Sequence, residues 1–325
     1  MGGLMILRTA PTLTDTLPTP LVSWADTPCP MCGWRDEEIL FEAPDPNPTN
    51  STAMLFAVVR CRLCGLSYTN PRPDDSSIGR FYPSDYRPHR RPRKMREAGK
   101  ASLWGRWSGR SSPERDGDLP WVGQGRLLDF GCGGGGYLKR MADNGWTVTG
   151  LDAAVGAVRS VQEELGLRAL VGSLPHPDLA PCSFDVITMW HSIEHVHRPL
   201  TILREAFRLL VPGGNIVVAC PNSASWAARA FGPNWFGLDL PRHLTHFTPS
   251  TLTAMLIAAG FRMSEVKHVR HSDWLRSSAK LAVRQPHASA WQRALTWKPL
   301  AKLAAWLTYV RSSTDCMMVV AERPG

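Results

Sequence analysis

Three groups of residues in this chain have the types and spacing to do chemistry. The first is a pair of Cys-x-x-Cys turns, Cys29-Pro-Met-Cys32 and Cys61-Arg-Leu-Cys64, each followed by glycine. Four thiolates at Cys29, Cys32, Cys61 and Cys64 complete a tetrahedral zinc shell with no open position, which makes such a site structural rather than catalytic. The 28 residues between the pairs exceed the compact ribbon spacing, and two unrelated redox or core pairs are the plainer alternative. The second group is the glycine run that follows Arg126-Leu-Leu-Asp-Phe130, from Gly131 to Gly136 with Cys132 inside it. Glycine lets a ligand approach the backbone, and a helix start offers N–H groups and a positive dipole end to an anion. Asp129 stands just before, where a carboxylate can receive a cation, so a ligand carrying an amine beside a carboxylate suits the pair. The third group is polar: Glu194 and His195 after one strand, and His243 and His246 beside Arg242 in Pro241-Arg-His-Leu-Thr-His-Phe247. Such groups can remove a proton from an acceptor. Equally, Glu and His after a strand cap helices, and loop histidines bond backbone carbonyls.

The glycines also satisfy a dinucleotide fingerprint, Gly131-x-Gly133-x-x-Gly136, with Asp152 following at about the 20-residue interval expected for a ribose-binding acid. Asp129 separates the two ligands. A carboxylate there repels a diphosphate and attracts an amine and a sulfonium. An NAD-dependent oxidoreductase is the competing reading.

The elements that must position these groups alternate. Leu127–Phe130 reads as a buried strand, Tyr137–Asn144 as a helix, Thr147–Leu151 as a strand, Val155–Leu165 as a helix and Arg168–Val171 as a strand. Phe184–Trp190, a helix over Leu200–Leu210, a turn at Pro212-Gly-Gly214 and a strand at Ile216–Cys220 follow. After loop-like residues 221–250 come a helix over Thr251–Ala259, a strand over Phe261–Val269, an insertion at 272–314 and a last strand at Cys316–Ala321. Alternation of this kind predicts an α/β fold, a Rossmann-like, seven-stranded, mostly parallel sheet with helices on both faces. A small N-terminal zinc-binding module, residues 29–73 with a strand at Ala53–Arg60, precedes it.

Residues 1–28, rich in Thr and Pro, are expected to lack fixed structure, and a linker over 74–120 leads to a domain at 121–325. The net charge of +9 is concentrated: residues 87–115 hold ten Arg and Lys against Glu97 and Glu114. A solvated linker is the simplest account of that run, and an RNA-binding or RNA-modifying zinc protein is the non-enzymatic alternative. Trp274, Trp291, Trp297 and Trp306 mix with cations in the insertion. Packing on the core accounts for them, while an amphipathic helix at a membrane surface would suit a lipid-linked acceptor. The start of the chain has neither a basic n-region nor a small-residue cleavage site, so a cytoplasmic protein is expected.

Asp129-Phe-Gly-Cys-Gly-Gly-Gly135 resembles the first motif of class I S-adenosylmethionine-dependent methyltransferases. The likeness continues through Gly150-Leu-Asp152, Phe184-Asp-Val-Ile187, Ile193-Glu-His-Val196, Leu210-Val-Pro-Gly-Gly214 and Pro241 to Thr248, covering roughly 125–270. With a preceding four-cysteine module, the chain is similar to bacterial methyltransferases of sugar, antibiotic and cell-surface pathways. The resemblance implies S-adenosylmethionine as cofactor, with Asp129, Gly131, Gly133 and Gly135 at its methionine part and Asp152 at its ribose. Ser173 would lie by the adenine, where many relatives carry an acid, and Trp190 and His191 would border cofactor and acceptor. Glu194, His195 and His243 are the candidate catalytic groups. Some quinone-pathway relatives bind a divalent metal with Glu-x-x-Glu-His; His191 stands where the first Glu would be, and no catalytic metal is expected. The implied acceptor is a small molecule, a sugar or a cell-surface glycan or lipid-linked group, rather than nucleic acid. The sequence is silent on oligomeric state.

Overall fold

A computed structural model describes residues 22–47, 54–82 and 122–325. The expectations for residues 1–21, for Ala53 and for the basic run 87–115 lie outside the described residues. The Cys-bearing segment comes first: β1 (Trp24–Ala25), β2 (Glu37–Pro44), β3 (Leu55–Cys61), β4 (Ser67–Thr69) and β5 (Arg72–Pro73). The alternating part follows as β6 (Arg126–Phe130), α1 (Gly136–Asp143), β7 (Thr147–Asp152), α2 (Val155–Leu165), β8 (Ala169–Val171), β9 (Phe184–Trp190), α3 (Pro199–Leu209) and β10 (Leu210–Pro221). The remainder is α4 (Trp226–Phe231), β11 (Thr245–His246), α5 (Pro249–Ala258), β12 (Arg262–Val269), α6 (Ser272–Ala282), α7 (Ala290–Leu295), α8 (Lys298–Val310) and β13 (Cys316–Glu322).

The large sheet has seven strands in the order β12-β13-β10-β9-β6-β7-β8. Strands β10, β9, β6, β7 and β8 run parallel, and β13 is antiparallel to both its neighbours. All seven residues of β9 are buried, as a central strand covered on both faces requires. Alternation along β6 divides the core: Leu127 packs with Leu138, Met141, Val158 and Val161 from α1 and α2. Its neighbour Leu128 packs on the opposite face with Ile202, Leu203, Leu252 and Met255 from α3 and α5. The parallel strands therefore present their C-terminal ends, and the loops after them, along one edge, where ligands of open α/β sheets bind.

Several elements differ from the sequence reading. The strand expected at Ile216–Cys220 is twelve residues long and absorbs Pro212-Gly-Gly214 as an irregularity, where its register with β9 shifts between Leu210 and Asn215. Gly213, at φ +77°, permits that shift. Residues 221–250, read as loop, contain α4, two short 3-10 turns and β11. β2 and β4 were not anticipated. The four strands β11-β4-β3-β2 form a second antiparallel sheet, in which β11 comes from the far side of the chain: Thr245 pairs with Tyr68 and His246 with Ser67. β3 is buried on both faces. Ala57, Val59 and Cys61 join the main core, while Phe56 and Val58 pack against Trp235, Leu238, Leu275 and Ala279. The Cys-bearing segment thus shares its cores with the rest of the chain.

The insertion packs on this second core through Leu275, Ala279, Ala282, Leu295 and Ala305. Its last helix turns Leu303, Trp306, Leu307 and Val310 outward, at i, i+3, i+4 and i+7 spacing. Among the described residues no helix is long and apolar enough to cross a membrane.

Candidate active site

The glycine run leaves β6 and enters α1 with Gly131, Gly133 and Gly135 all at positive φ, +77°, +50° and +73°. Two of them are also sterically required. A Cβ on Gly131 would sit 2.5 Å from the Ser192 Cβ, and one on Gly135 would sit 2.7 Å from Val161 Cγ2. Asp152, at the end of β7, holds the loop: its Oδ2 accepts the Gly133 N–H at 2.8 Å and its Oδ1 accepts the Ala154 N–H at 2.8 Å. Asp129 is buried in β6, and its Oδ1 accepts the Thr188 hydroxyl at 2.7 Å. Ser173 is exposed in the turn after β8. Trp190 ends β9, packed edge-on against Tyr137 at 5.2 Å. The close approach of Ser192 to Gly131 places the end of β9 directly beside the glycine loop.

At that strand end the chain turns sharply. His191 adopts φ +51°, and a 3-10 turn, Ile193–His195, carries Glu194 into the interior. Glu194 is 1% exposed, and its carboxylate oxygens have no hydrogen-bond partner among the described residues. Instead it is surrounded by imidazoles. His191 Nδ1 lies 3.5 Å from Glu194 Oε1, and the ligand atoms of Glu194, His195 and His243 all lie within 4.8 Å of one another. Burial pushes the Glu194 carboxyl up, but His191, His195 and His243 outweigh it and hold it below its ordinary range, ionised. Burial works against an imidazolium at His191, yet Cys316 and Glu194 raise that group well above the usual histidine value.

His195 and His243 meet at 4.6 Å between ring centroids. His195 Nδ1 is 3.0 Å from the Arg242 carbonyl and 3.0 Å from the Tyr82 hydroxyl. Burial, then the neighbouring His243, lowers the His195 pKa to about 4, so its ring is neutral at pH 7. His243 Nδ1 lies 2.8 Å from the Gly237 carbonyl, which assigns a ring proton to Nδ1. All three catalytic candidates from the sequence are therefore brought together.

Arg242 and His246, read as neighbours of the acceptor, serve other groups. The Arg242 guanidinium is 1% exposed and is shared between Asp45 (2.7 and 3.0 Å), Asp239 (2.8 and 3.1 Å) and the Phe81 carbonyl (2.8 Å). His246 Nε2 faces Thr69 Oγ1 at 3.1 Å, and burial lowers its pKa to about 3. Trp235 is buried and donates its indole N–H to Asp315 at 3.1 Å. Phe236 meets Trp274 at 5.7 Å. Sequence reasoning missed His271 and Cys316, which gather beside His191. They are separated from it by more than 75 residues and carry no motif.

The four cysteines form a compact set. Cys29 and Cys64 sulfurs are 3.4 Å apart, Cys32 and Cys61 sulfurs 3.6 Å, and all four lie within 4.8 Å. A tetrahedral ion with thiolate bonds of about 2.3 Å has sulfur–sulfur edges of about 3.8 Å, so the set fits such an ion closely. Gly33 and Gly65, at φ +76° and +74°, turn their N–H groups back to the Cys29 and Cys61 carbonyls at 2.9 and 3.0 Å. Burial raises the Cys29 thiol to about 11. At Cys61 burial acts the same way, but the Cys64 and Leu63 N–H groups more than reverse it.

A family profile described as a methyltransferase domain matches residues 89–266. Ubiquinone biosynthesis O-methyltransferase of Xanthomonas campestris pv. campestris (strain B100) is 34% identical over 173 residues, covering 49% of this chain and 71% of that protein. The same-named protein of Xanthomonas axonopodis pv. citri (strain 306) is 32% identical over the same shares. An S-adenosylmethionine dependent methyltransferase structure from Mesorhizobium loti is 20% identical, with a TM-score of 0.44 over 63% of this chain and 94% of that one.

The buried histidines give the fold a defined acid response. His195, His246 and His271, at about 4, 3 and 3, are held neutral, whereas in the unfolded chain each charges near 6.5. Asp315 acts oppositely, since burial raises it to about 6. Near pH 5 unfolding therefore takes up three protons and releases one, and stability falls as pH drops from about 6 to 5 by roughly 2–3 kcal/mol. Urea midpoints measured at those two pH values check this; a midpoint that holds or rises on acidification would contradict the assignment.

Proposed function

The chain belongs to the methyltransferase-domain family and is an S-adenosylmethionine-dependent methyltransferase, and from that premise we propose that it methylates a hydroxyl of a small-molecule acceptor, with His243 as the base. The observation that carries this reading is the buried, ionised Glu194 ringed by His191, His195 and His243 at the strand end that touches the glycine loop. The similarity to proteins named as O-methyltransferases of a small molecule supports a hydroxyl as the methylated group.

The residues present fit the cofactor. Gly131, Gly133 and Gly135 carry the backbone through positive φ after β6, a path that glycine follows without strain, and the buried carboxylate of Asp129 stands two residues before the first of them. Asp129 would hold the ammonium of the methionine part, and Asp152, whose oxygens each keep a lone pair, would accept the ribose hydroxyls. Ser173 would lie at the adenine, and Trp190 and His191 would border the reacting end. The cofactor, when bound, supplies a methyl group activated on a sulfonium. His243 Nε2 takes the acceptor proton while the Gly237 carbonyl keeps the ring oriented through Nδ1. Glu194 stabilises the imidazolium so formed, as a buried carboxylate does for a histidine base. His195, neutral at pH 7, adds no competing positive charge. Much of the rate comes from holding the acceptor oxygen in line with the methyl group.

We assign zinc, in a structural role, to the four cysteines. The donor set is all thiolate and closed, and its second turn, Cys61–Cys64, joins β3 to β4 in the sheet that receives β11, just after His243 in the chain.

Calorimetry should show binding of S-adenosylmethionine and S-adenosylhomocysteine and none of NADH. Asp152→Ala should weaken S-adenosylhomocysteine at least about tenfold, roughly 1.4 kcal/mol. Binding of NADH alone would end the methyl-transfer reading. With a panel of hydroxylated small molecules as acceptors, His243→Ala should lower turnover by roughly 10²- to 10⁴-fold, with S-adenosylhomocysteine affinity kept. Turnover within threefold of the parent would remove His243 as the base. Elemental analysis of the purified chain should give one zinc per molecule, lost in Cys32→Ser; a metal-free, fully folded parent protein would refute the zinc assignment.

A further inference from the structure

Between the Cys-bearing segment and α3 lies a cavity of about 470 Å³ that the methyl-transfer reading does not use. Arg72, His197, Arg198, Leu200, Thr201 and Arg204 line one side of it. Arg72 is the informative residue. It sits on β5, is 4% exposed, and gives one bond, from Nη2 to the His197 carbonyl at 2.8 Å. Its Nε and Nη1 are buried without a partner among the described residues. A guanidinium kept from water with open donors is costly, and its planar fork matches the oxygens of an oxyanion. The cavity is also where α3 begins. Pro199 occupies the first position of that eleven-residue helix, and no side chain among the described residues caps it, so the Leu200 and Thr201 N–H groups and the positive dipole end face outward. Arg198 and Arg204 are exposed beside it and join no ion pair among the described residues.

The acids on the cavity wall are already engaged. Asp26 accepts from the Asn70 side-chain amide at 2.9 Å. Asp74 accepts from the Ser76 and Ser77 N–H groups at 3.0 and 2.9 Å. Asp75 pairs with His197 Nδ1 at 3.0 Å. Arg72, Arg198, Arg204 and the first turn of α3 all line this one cavity.

We propose that this cavity is an oxyanion site for a phosphate group, held by Arg72 Nε and Nη1 and by the first turn of α3, with Arg198 and Arg204 at its mouth. Its volume lies within the range of small-molecule sites, roughly 300–1,000 Å³, so the phosphate belongs to a larger molecule. His197 on its wall follows His195 by two residues, so a ligand there adjoins the segment that carries the base cluster.

The test is calorimetry on the full chain with inorganic phosphate, pyrophosphate and UDP as probes. UDP should bind at least tenfold more tightly than phosphate, and Arg72→Gln should weaken both at least tenfold. Equal affinity for phosphate and UDP would keep the oxyanion site and assign it to the free ion. If Arg72→Gln fails to fold, the surface variants Arg198→Ala and Arg204→Ala carry the test, each expected to weaken UDP several-fold. Absence of binding by all three probes, or binding unchanged in the arginine variants, overturns the proposal. Asp152→Ala should lose S-adenosylhomocysteine and keep UDP, which separates this site from the methyl-transfer reading.

Discussion

The position of the candidate base depends on one buried ion triad. Arg242 is nearly inaccessible and is gripped by Asp45, which directly follows β2, and by Asp239 from its own loop. Removing one partner of such a triad costs on the order of 3–5 kcal/mol, because the remaining charges stay buried. What the triad secures is the path of the residues that follow it. The Leu244 N–H reaches the Glu194 carbonyl at 2.8 Å, and β11 then pairs with β4. His243 lies between Arg242 on one side and these two anchors on the other. The loop is therefore held on one side by the large sheet and on the other by the small one.

That arrangement explains why a carboxylate can stay charged inside the protein. Glu194 finds no hydrogen-bond donor at ordinary distance among the described residues, and its compensation comes first from the neighbouring His191, with the His195 and His243 rings beside it. The imidazoles come from different elements: His191 and His195 from the turn after β9, and His243 from the loop fixed by Arg242. A charge supported by groups on separate segments is stable only if those segments cannot drift. The two cores that meet on β3, one on each face, supply that rigidity.

Much of this was legible in the residues. The alternating strands and helices from Leu127 onward follow from hydrophobic period, and the structure bears out a seven-stranded, mostly parallel sheet. Asp129, the glycines and Asp152 were legible because local spacing dictates them: a strand end, positive φ and a second strand end. The rest was not, because it depends on long-range pairing. β11 is two residues long and exists only through β4, which lies more than 170 residues earlier. The inward turn of Arg242 needs Asp45, 197 positions away. Likewise no local sign marks that the Trp235 N–H goes to Asp315, 80 residues later.

The two cysteine turns then have a physical task beyond holding their own loops. β3 ends in Cys61 and β4 begins three residues after Cys64, so fixing the second cysteine pair fixes the register of β4. The register of β4 sets that of β11 through Tyr68 and Thr245, and Thr69 also donates to the His243 carbonyl at 3.0 Å. A displacement at the cysteines would pass along β4 into the backbone of His243 itself. Sheets slip by whole residues, and a one-residue slip inverts every side chain. The second cysteine turn thus bears on the orientation of a histidine it never touches.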